Sequence, residues 1–186
     1  MKQINSLTDE EVVVLVRSKD QELYVHLVNR YQEKLLRYAQ YLINDLDLAE
    51  DVVQTAFINA YKNLFGFDTK KKFSSWIYRI THNQAINAAK KNNRIINLDQ
   101  EYWKKVESTQ NIEDEYSKEE LKNMVRKAVG KLPIGYKSVM TLFFLEERSY
   151  EEISDILRMP SGTVGTKINR GKKLLKTIIQ EGGGHE

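Results

Sequence analysis

The stretch SYEEISDILRMPSGTVGTKINRGKKLLKTII, residues 149–179, has the pattern of two short helices joined by a tight turn. Ser149 and Glu152 are spaced as a capping box, in which each side chain accepts the other residue's backbone N–H. Pro160 disfavours helical geometry at Met159 and so predicts where the first helix ends. The stretch therefore predicts a helix-turn-helix, a motif whose second helix enters the major groove of DNA.

The second of these helices is basic and carries no acid. Its charged positions are Lys167, Arg170, Lys172, Lys173 and Lys176, and its apolar positions are Val164, Ile168, Leu174, Leu175 and Ile178. Residues 69–98 likewise hold seven basic residues and no acid, whereas residues 99–120 hold eight acids against three lysines. Two basic patches around an acidic spacer suggest two contacts with nucleic acid. The alternative interpretation is a pair of solvated, lysine-rich faces.

Length and composition limit the class of protein. The chain has 186 residues, which allows one large or two small domains, and its 41% hydrophobic and 30% charged residues are typical of globular proteins. The net charge of +3 is modest, and there is no cysteine, as expected for a reducing cytosol. The polar amino terminus and the lack of a long apolar run predict a soluble intracellular protein without direct membrane insertion.

Nearly every periodic segment has helical spacing. The first predicted helix begins at a capping box formed by Thr8 and Glu11, and the second covers roughly residues 20–43. A third helix begins at Asp47 with Glu50 and ends at Gly66, and a fourth covers residues 74–92. A further helix begins at Ser117 with Glu120, and another covers residues 136–145 before the helix-turn-helix. We therefore predict an all-α fold made of two small helical domains joined by a flexible linker. Each domain is near the lower size limit for an independent core.

Three segments in order resemble the extracytoplasmic function (ECF) sigma factors of bacterial RNA polymerase. They are AEDVVQTAFINAYKNL (49–64), FSSWIYRITHNQAIN (73–87) and the run LP…SYEEISDIL…PSGTVGTKINRGKKLL (132–175). The resemblance implies that residues 1–94 are sigma region 2, which grips the polymerase and opens the −10 element. It implies that residues 117–181 are region 4, which reads the −35 element, with a linker at 95–116 and a flexible tail at 182–186.

The resemblance assigns a polymerase contact to the segment 49–64. Asp51, Gln54 and Tyr61 share a helix face away from the apolar stripe. In the family this face docks on the clamp coiled coil of the largest polymerase subunit, and the flap of the second-largest subunit is a further expected partner. Thr55 belongs to the expected contact but stands where the family usually has an acid. The alternative is an ordinary solvated helix face.

The resemblance also implies a −10 site around the segment 73–87. Its expected residues are Phe67, Lys70, Lys71, Lys72, Phe73, Arg79 and Asn83. Melting a duplex needs cations for the phosphates and planar or apolar groups for an unstacked base. Trp76 and Ile80 are expected in the core rather than against bases. His82 has no second ligand at suitable spacing, so we expect a surface histidine and no metal site.

The −35 site is expected on the second helix of the helix-turn-helix. The expected residues are Gly165, Thr166, Lys167, Asn169, Arg170 and Lys173. Asparagine can pair with adenine through two hydrogen bonds, and arginine with guanine or a phosphate. Gly165 departs from the family, which usually has lysine or arginine there. We therefore expect a −35 preference unlike that of arginine-bearing relatives.

Partners and alternatives follow from the same patterns. The family implies core RNA polymerase, promoter DNA and an anti-sigma factor that is often membrane-bound, and hence a cytoplasmic protein that this factor can hold at the membrane. A linker of about 22 residues extends to roughly 70 Å at about 3.3 Å per residue, enough to span two promoter elements. A dimeric helix-turn-helix regulator would leave the 49–87 segments unexplained. A helical enzyme is disfavoured, since no nucleophile–base set, phosphate-binding loop or metal-ligand spacing occurs, and no cofactor is expected.

Overall fold

The computed structural model describes residues 4–91 and 118–182, and within these ranges the chain forms eight α-helices and no β-strand. The helices are α1 (Asp9–Ser18), α2 (Tyr24–Ile43), α3 (Leu46–Lys62), α4 (Phe73–Lys91), α5 (Lys118–Lys131), α6 (Ile134–Met140), α7 (Tyr150–Leu157) and α8 (Ser161–Gly182). Short 3₁₀ turns lie at Ile4–Ser6, Gln21–Leu23 and Leu64–Gly66, and a π-helical turn at Thr141–Leu145. The all-α prediction is confirmed.

The helices form two compact units, an N-terminal unit made mainly of α1–α4 and a C-terminal unit made mainly of α5–α8. The predicted linker (95–116), the predicted helix start at Ser117 and residues 183–186 lie outside the described residues. The domain boundaries at 94 and 117 therefore remain predictions.

Both predicted capping boxes form. In the first, Thr8 Oγ1 accepts the Glu11 N–H at 3.2 Å and Glu11 Oε2 accepts the Thr8 N–H at 2.8 Å. In the second, Ser149 Oγ accepts the Glu152 N–H at 3.2 Å and Glu152 Oε2 accepts the Ser149 N–H at 3.0 Å. The N-terminal starts of α1 and α7 are thus set by residues three positions apart, which is why the sequence alone predicts them.

The start of α3 differs from the prediction. Asp45, not Asp47, caps the helix, and its Oδ1 accepts the Leu48 N–H at 3.0 Å. Asn44 ends α2 in the left-handed region with φ of 57° and ψ of 40°, and the chain then leaves Asp45 extended. An extended backbone is the geometry that an N-cap requires, so the turn after α2 decides which aspartate caps α3.

The core of the N-terminal unit lies where α2, α3 and α4 pack against one another in all three pairings, with α1 against α2 and α4. Asp9 joins α1 to α2, because its carboxylate accepts hydrogen bonds from Arg30 Nη1 at 2.7 Å and from the Tyr31 hydroxyl. The largest fully buried side chains of this unit are Tyr38, Tyr78, Phe73, Leu27, Leu35, Leu64 and Ile77. This packing holds α3 and α4, the two helices that carry the expected site residues.

His82 is half-buried, whereas the sequence predicts a surface histidine. Its Nδ1 lies 2.9 Å from the Tyr38 hydroxyl in a hydrogen bond, and burial lowers the pKa of the ring from 6.5 to about 4. The surface prediction was wrong because position 82 faces α2, where Tyr38 supplies a polar partner that no local pattern reveals.

The C-terminal unit packs α5 and α6 against α8. Its core cluster contains Ala128, Val129, Leu132, Met140, Leu174 and Leu175. The predicted helix 136–145 is α-helical only as far as Met140, and the next five residues form the π-helical turn, in which the Glu146 N–H donates to the Thr141 carbonyl at 3.1 Å. Between α7 and α8, Arg158 has a φ of 50°, so the chain reverses direction through a left-handed residue.

Gly171 permits the close approach of α8 to α6. A Cβ at this position would lie 2.5 Å from Met140 Sδ and 2.9 Å from Met140 Cγ. Met140 is fully buried, so its side chain would have to shift within the core to make room for such a Cβ. Gly171 is therefore a packing residue in the middle of the helix that is expected to read DNA.

Neutral His82 should make the stability of the N-terminal unit depend on pH. The unfolded chain binds a proton at His82 below about pH 6.5, whereas the folded ring binds one only near pH 4. The contribution of His82 to the free energy of unfolding is therefore fully present above pH 6.5, and it falls by about 3 kcal/mol as the pH falls to about 4. The free energies of unfolding of wild type and His82→Gln, measured in urea, should diverge over this pH range. Both proteins carry Trp103→Phe, so that the fluorescence of Trp76 alone follows the unfolding of the N-terminal unit. Equal pH slopes in the two proteins would contradict the half-buried, neutral ring.

Alanine at Gly171 should destabilise the C-terminal unit. A glycine-to-alanine change inside a helix normally stabilises by about 1 kcal/mol, but overpacking a filled core costs about 1–3 kcal/mol. We expect a net loss for Gly171→Ala in urea unfolding followed by circular dichroism. Gly130→Ala in α5 is the matched control, because a Cβ there meets nothing within 4 Å, and it should stabilise. Stabilisation of both variants would show that Met140 can move aside.

Candidate functional site

A groove runs between α2 and α3 on the N-terminal unit. It consists of two neighbouring cavities of about 570 and 590 Å³ that share Val28, Phe57 and Ile58 in their walls. The first cavity also includes Asp51 and Gln54. Both of these side chains are exposed, so the groove presents polar groups along one wall and apolar groups along its floor.

The other end of the groove is made by two tyrosines. The rings of Tyr24 and Tyr61 lie 5.0 Å apart between centroids in an edge-on arrangement. The Tyr24 hydroxyl donates to the Phe57 carbonyl at 2.9 Å, and the Tyr61 hydroxyl donates to Gln21 Oε1 at 2.9 Å. Burial, and then the neighbouring Tyr61 hydroxyl, raise the pKa of Tyr24 above its usual value. Both phenol hydroxyls are thus held in fixed orientations by hydrogen bonds.

The structure brings Asp51, Gln54 and Tyr61 to this groove, while Thr55 is exposed on the same helix but lines neither cavity. It also adds two apolar residues that the sequence analysis missed, Ile58 at 48% and Val25 at 50% exposure. Ile58 could have been found, since it lies four residues after Gln54 and three before Tyr61. Val25 could not, because it comes from the other helix.

The second part of the site is the connection between α3 and α4, residues 63–72, and α1 holds both of its ends. Arg17 donates from Nε to the Leu64 carbonyl at 2.9 Å, and its Nη2 donates to the carbonyls of Leu64 and Phe67. At the other end, Glu10 Oε1 accepts the N–H of Phe73 at 2.7 Å. Charge-assisted hydrogen bonds of this kind are stronger than neutral ones, so they fix the connection on the body of the unit.

The aromatic residues of this connection and of the first turn of α4 divide into an inner and an outer group. Phe67 and Phe73, both expected at the DNA site, are 5% and 0% exposed and pack edge to face with centroids 5.8 Å apart. Trp76 is half-buried against them, with its ring 4.9 Å from that of Phe67. Phe65 is 70% exposed, the highest value among the exposed large hydrophobic side chains of the described chain.

The three lysines of the connection are exposed, as a phosphate contact requires. Asp68, the one acid in the connection, is engaged locally, because its Oδ1 accepts the Lys70 N–H at 3.0 Å and its carbonyl accepts the Lys71 N–H at 2.9 Å. On α4, Asn83 is exposed and Arg79 is half-buried. The lysines therefore dominate the charge of this surface.

On the C-terminal unit, four of the expected residues form one exposed row along α8. Thr166, Asn169, Arg170 and Lys173 are spaced three, four and seven residues from the first, which places them on one helix face. The Thr166 hydroxyl donates to the Gly162 carbonyl at 2.9 Å, which leaves its oxygen able to accept. The opposite face of the helix packs in the core.

The other two expected residues do not belong to this row. A Cβ at Gly165 would lie 3.4 Å from Tyr150 Cε2, so a side chain there starts toward α7. Lys167 places its Nζ 4.9 Å from the centre of the Tyr136 ring on α6, which is a cation–π contact. Lys172 makes a similar contact with Phe143, at 5.4 Å. These cations are partly engaged within the unit.

Residues 4–91 and 118–182 contain no group of three or more side chains that could together hold a metal ion. Within the same ranges, no helix has the length and apolar character needed to cross a membrane.

Two family models match separate segments of the chain. Residues 27–95 match the Sigma-70 region 2 family, and residues 122–175 match Sigma-70, region 4. The solved structure of CnrH in complex with the cytosolic domain of CnrY has a similar fold, with a TM-score of 0.70 at 22% identity, covering 93% of this chain and 97% of that one. The sigma factor RpoE in complex with the anti-sigma factor NepR, from Bartonella quintana, aligns with a TM-score of 0.64 at 20% identity, covering 84% and 96%.

Curated relatives are closer in sequence. The ECF RNA polymerase sigma factor SigW of Bacillus subtilis (strain 168) is 34% identical over 175 residues, which cover 89% of this chain and 94% of the relative. The ECF RNA polymerase sigma-E factor of Escherichia coli (strain K12) is 32% identical over 183 residues, covering 94% and 95%. The chain therefore belongs to the ECF family of RNA polymerase sigma factors.

Proposed function

We propose that this chain binds core RNA polymerase through the groove between α2 and α3, and directs initiation by contacting the −10 element with residues 63–83 and the −35 element with α8. The observation that carries the proposal is the coexistence, in an ECF sigma factor, of a groove with polar and apolar walls and two separate cationic surfaces. A regulator that binds DNA alone has no need of the groove.

The groove suits a helical partner such as the clamp coiled coil of the largest polymerase subunit. Ile58 and Val25 supply apolar contact, while Asp51 and Gln54 can fix the register of the partner through hydrogen bonds and charge. The sigma factor family consists of transcription initiation factors. In this proposal the chain contributes no catalytic group, and the polymerase supplies the chemistry.

The two DNA surfaces have different tasks. The lysines at 70–72 supply phosphate contacts, which give affinity that falls with salt but carry no sequence information. The row on α8 supplies both kinds of contact, because Asn169 can read adenine and Arg170 can read guanine or hold a phosphate. The family resemblance implies a lysine or arginine at position 165, so the glycine there is expected to alter the −35 preference.

Regulation by an anti-sigma factor is proposed from one solved neighbour, the sigma factor RpoE of Bartonella quintana, whose structure is a complex with the anti-sigma factor NepR. Such a partner would compete with polymerase for the exposed apolar groups of the groove. Since polymerase and promoter DNA are its proposed partners, we place the chain in the cytoplasm, and a membrane-bound anti-sigma factor would hold it at the membrane.

The proposed function is tested by run-off transcription on a genomic fragment library with core polymerase and this chain. Specific start sites are expected only when the chain is present. Ile58→Asp should lower its affinity for core polymerase at least tenfold, because a charge replaces an apolar contact in the groove. Competition with a fluorescent wild-type chain for core polymerase measures this.

Val14→Asp is the matched control for the groove variant. Val14 is exposed to 48%, as Ile58 is, but lies on α1 outside both cavities. It should compete as well as wild type. An equal loss of affinity for core polymerase in both variants would show that the substitutions disturb the fold. The proposed function would be contradicted if neither the wild-type chain nor the variants directed specific initiation.

Asn169 and Lys173 should separate base reading from phosphate binding on α8. Asn169→Ala should relax the preference at one base pair of the −35 element by about 1–3 kcal/mol. Lys173→Ala should weaken all sequences alike and reduce the dependence of log K on log salt by about 0.9. Binding of holoenzyme to a set of −35 variants, at several salt concentrations, measures both. The assignment is wrong if both variants lose affinity uniformly.

A further inference from the structure

We propose that Lys172 is a phosphate contact of the −35 duplex, that the rings of Phe143 and Phe144 hold it in position, and that it acts together with Lys167 on the other side of α8. This inference rests on the proposed function and adds to it a residue outside the expected −35 set. It also gives a role to the π-helical turn Thr141–Leu145, a rare conformation that is frequent at functional sites.

Lys172 lies over two aromatic rings of the π-helical turn. Its Nζ is 5.4 Å from the centre of the Phe143 ring and 5.9 Å from the centre of the Phe144 ring. These two rings meet edge to face with centroids 4.9 Å apart, and Phe143 meets the ring of Tyr150 in the same way at 5.7 Å. The rings thus form one aromatic surface, to which the ammonium group is attracted through the ring quadrupoles.

The ring contacts leave the charge of Lys172 available to a ligand. Lys172 is exposed, and in the described part of the chain neither it nor Lys167 forms an ion pair. An ammonium group has three N–H donors, so it can lie against a ring and still donate to a phosphate oxygen. Because the rings restrict where the ammonium group lies, the side chain loses less freedom when it binds.

Lys172 and Lys167 lie on opposite sides of the row from Thr166 to Lys173. Successive residues of an α-helix are turned by about 100°, so Lys167 lies about 100° from Thr166 in one direction and Lys172 about 120° from it in the other. The ring contacts agree with this geometry, since Lys167 reaches Tyr136 of α6 whereas Lys172 reaches the π-helical turn. Each lysine is therefore held by a different element of the unit.

This arrangement matches the two backbones of a DNA duplex. A helix that lies in the major groove has a sugar–phosphate backbone on each side, and contacts with these phosphates fix its orientation over the bases. With the row toward the bases, one lysine faces each backbone. A protein that packed on one side of α8 would reach only one of the two lysines, so the pair favours DNA.

The test combines the loss of a lysine with the loss of single phosphate charges. Holoenzyme is reconstituted from core polymerase with the wild-type chain, Lys172→Ala, Lys167→Ala or Lys127→Ala. The probe is the −35 duplex of a strong promoter from the run-off experiment, without its −10 region, and in a second series each phosphate in turn is replaced by an uncharged methylphosphonate. Lys127 is an exposed lysine of α5, and its variant is the control for net charge.

Lys172→Ala and Lys167→Ala should each reduce the dependence of log K on log salt by about 0.9 and lower affinity about eightfold at about 0.1 M salt, because one counterion fewer is released. Lys127→Ala should change neither quantity. Neutralising the phosphate that Lys172 contacts should weaken binding of the wild type but not of Lys172→Ala. The phosphate identified in the same way for Lys167 should lie on the opposite strand.

Leucine and tyrosine variants test whether the rings position Lys172. Phe143→Leu combined with Phe144→Leu should lower affinity about two- to twelvefold, because Lys172 must then be ordered on binding. The same pair of changes should have no further effect when Lys172 is already alanine. Phe143→Tyr combined with Phe144→Tyr keeps both rings and should bind within about twofold of wild type.

Unchanged salt dependence and an unchanged set of sensitive phosphates in Lys172→Ala would overturn the inference. An affinity loss in the leucine variant that persists without Lys172 would overturn the positioning role, and a loss of core affinity in Lys172→Ala would make Lys172 a protein contact. Each of these results, beside specific initiation by the wild-type chain, would leave the proposed function standing. Failure of the wild-type chain to direct any initiation would contradict the proposed function, and this inference with it.

Discussion

The anchoring of one short connection by α1 is the constraint on which the N-terminal unit depends. Arg17 binds the carbonyls of Leu64 and Phe67, and Glu10 binds the N–H of Phe73, so both ends of residues 63–72 are held by ionised side chains from a single helix. The N–H of Phe73 at the start of α4 has no partner within its own helix, and Glu10 supplies one. The anchors hold the backbone of the connection against the unit, and within it Leu64 and Phe67 are buried while Phe65 faces solvent.

The two surfaces of this unit that are proposed to bind polymerase and DNA follow from the same packing. α3 contributes its buried stripe to the contacts with α2 and α4, and this leaves its other face beside α2 as a groove. Ile58 and Val25 stay about half exposed there, although burial would stabilise them. Exposed apolar groups beside oriented polar ones are expected of a surface that a partner covers.

In the C-terminal unit, one helix provides both a part of the core and the exposed row that is proposed to contact DNA. The apolar side of α8 packs on α5 and α6, with Gly171 removing the side chain that Met140 would strike, and the opposite side presents the row from Thr166 to Lys173. Because the core fixes the rotation of α8 about its axis, it also decides which residues can reach a base. For that reason, a side chain at position 165 would point toward Tyr150, and Lys167 lies over the ring of Tyr136.

The sequence by itself determined the helical class, the capping boxes at Thr8 and Ser149, and the exposed row on α8, because each depends on residues within one or two helical turns of one another. It also carried the family resemblance, which the comparisons bear out. Only the tertiary structure decided that His82 is half-buried against Tyr38, and that Phe67 lies inside while Phe65 lies outside. Periodicity assigns faces within a helix, but it says nothing about a turn whose orientation is set by Arg17, about fifty residues away in the chain.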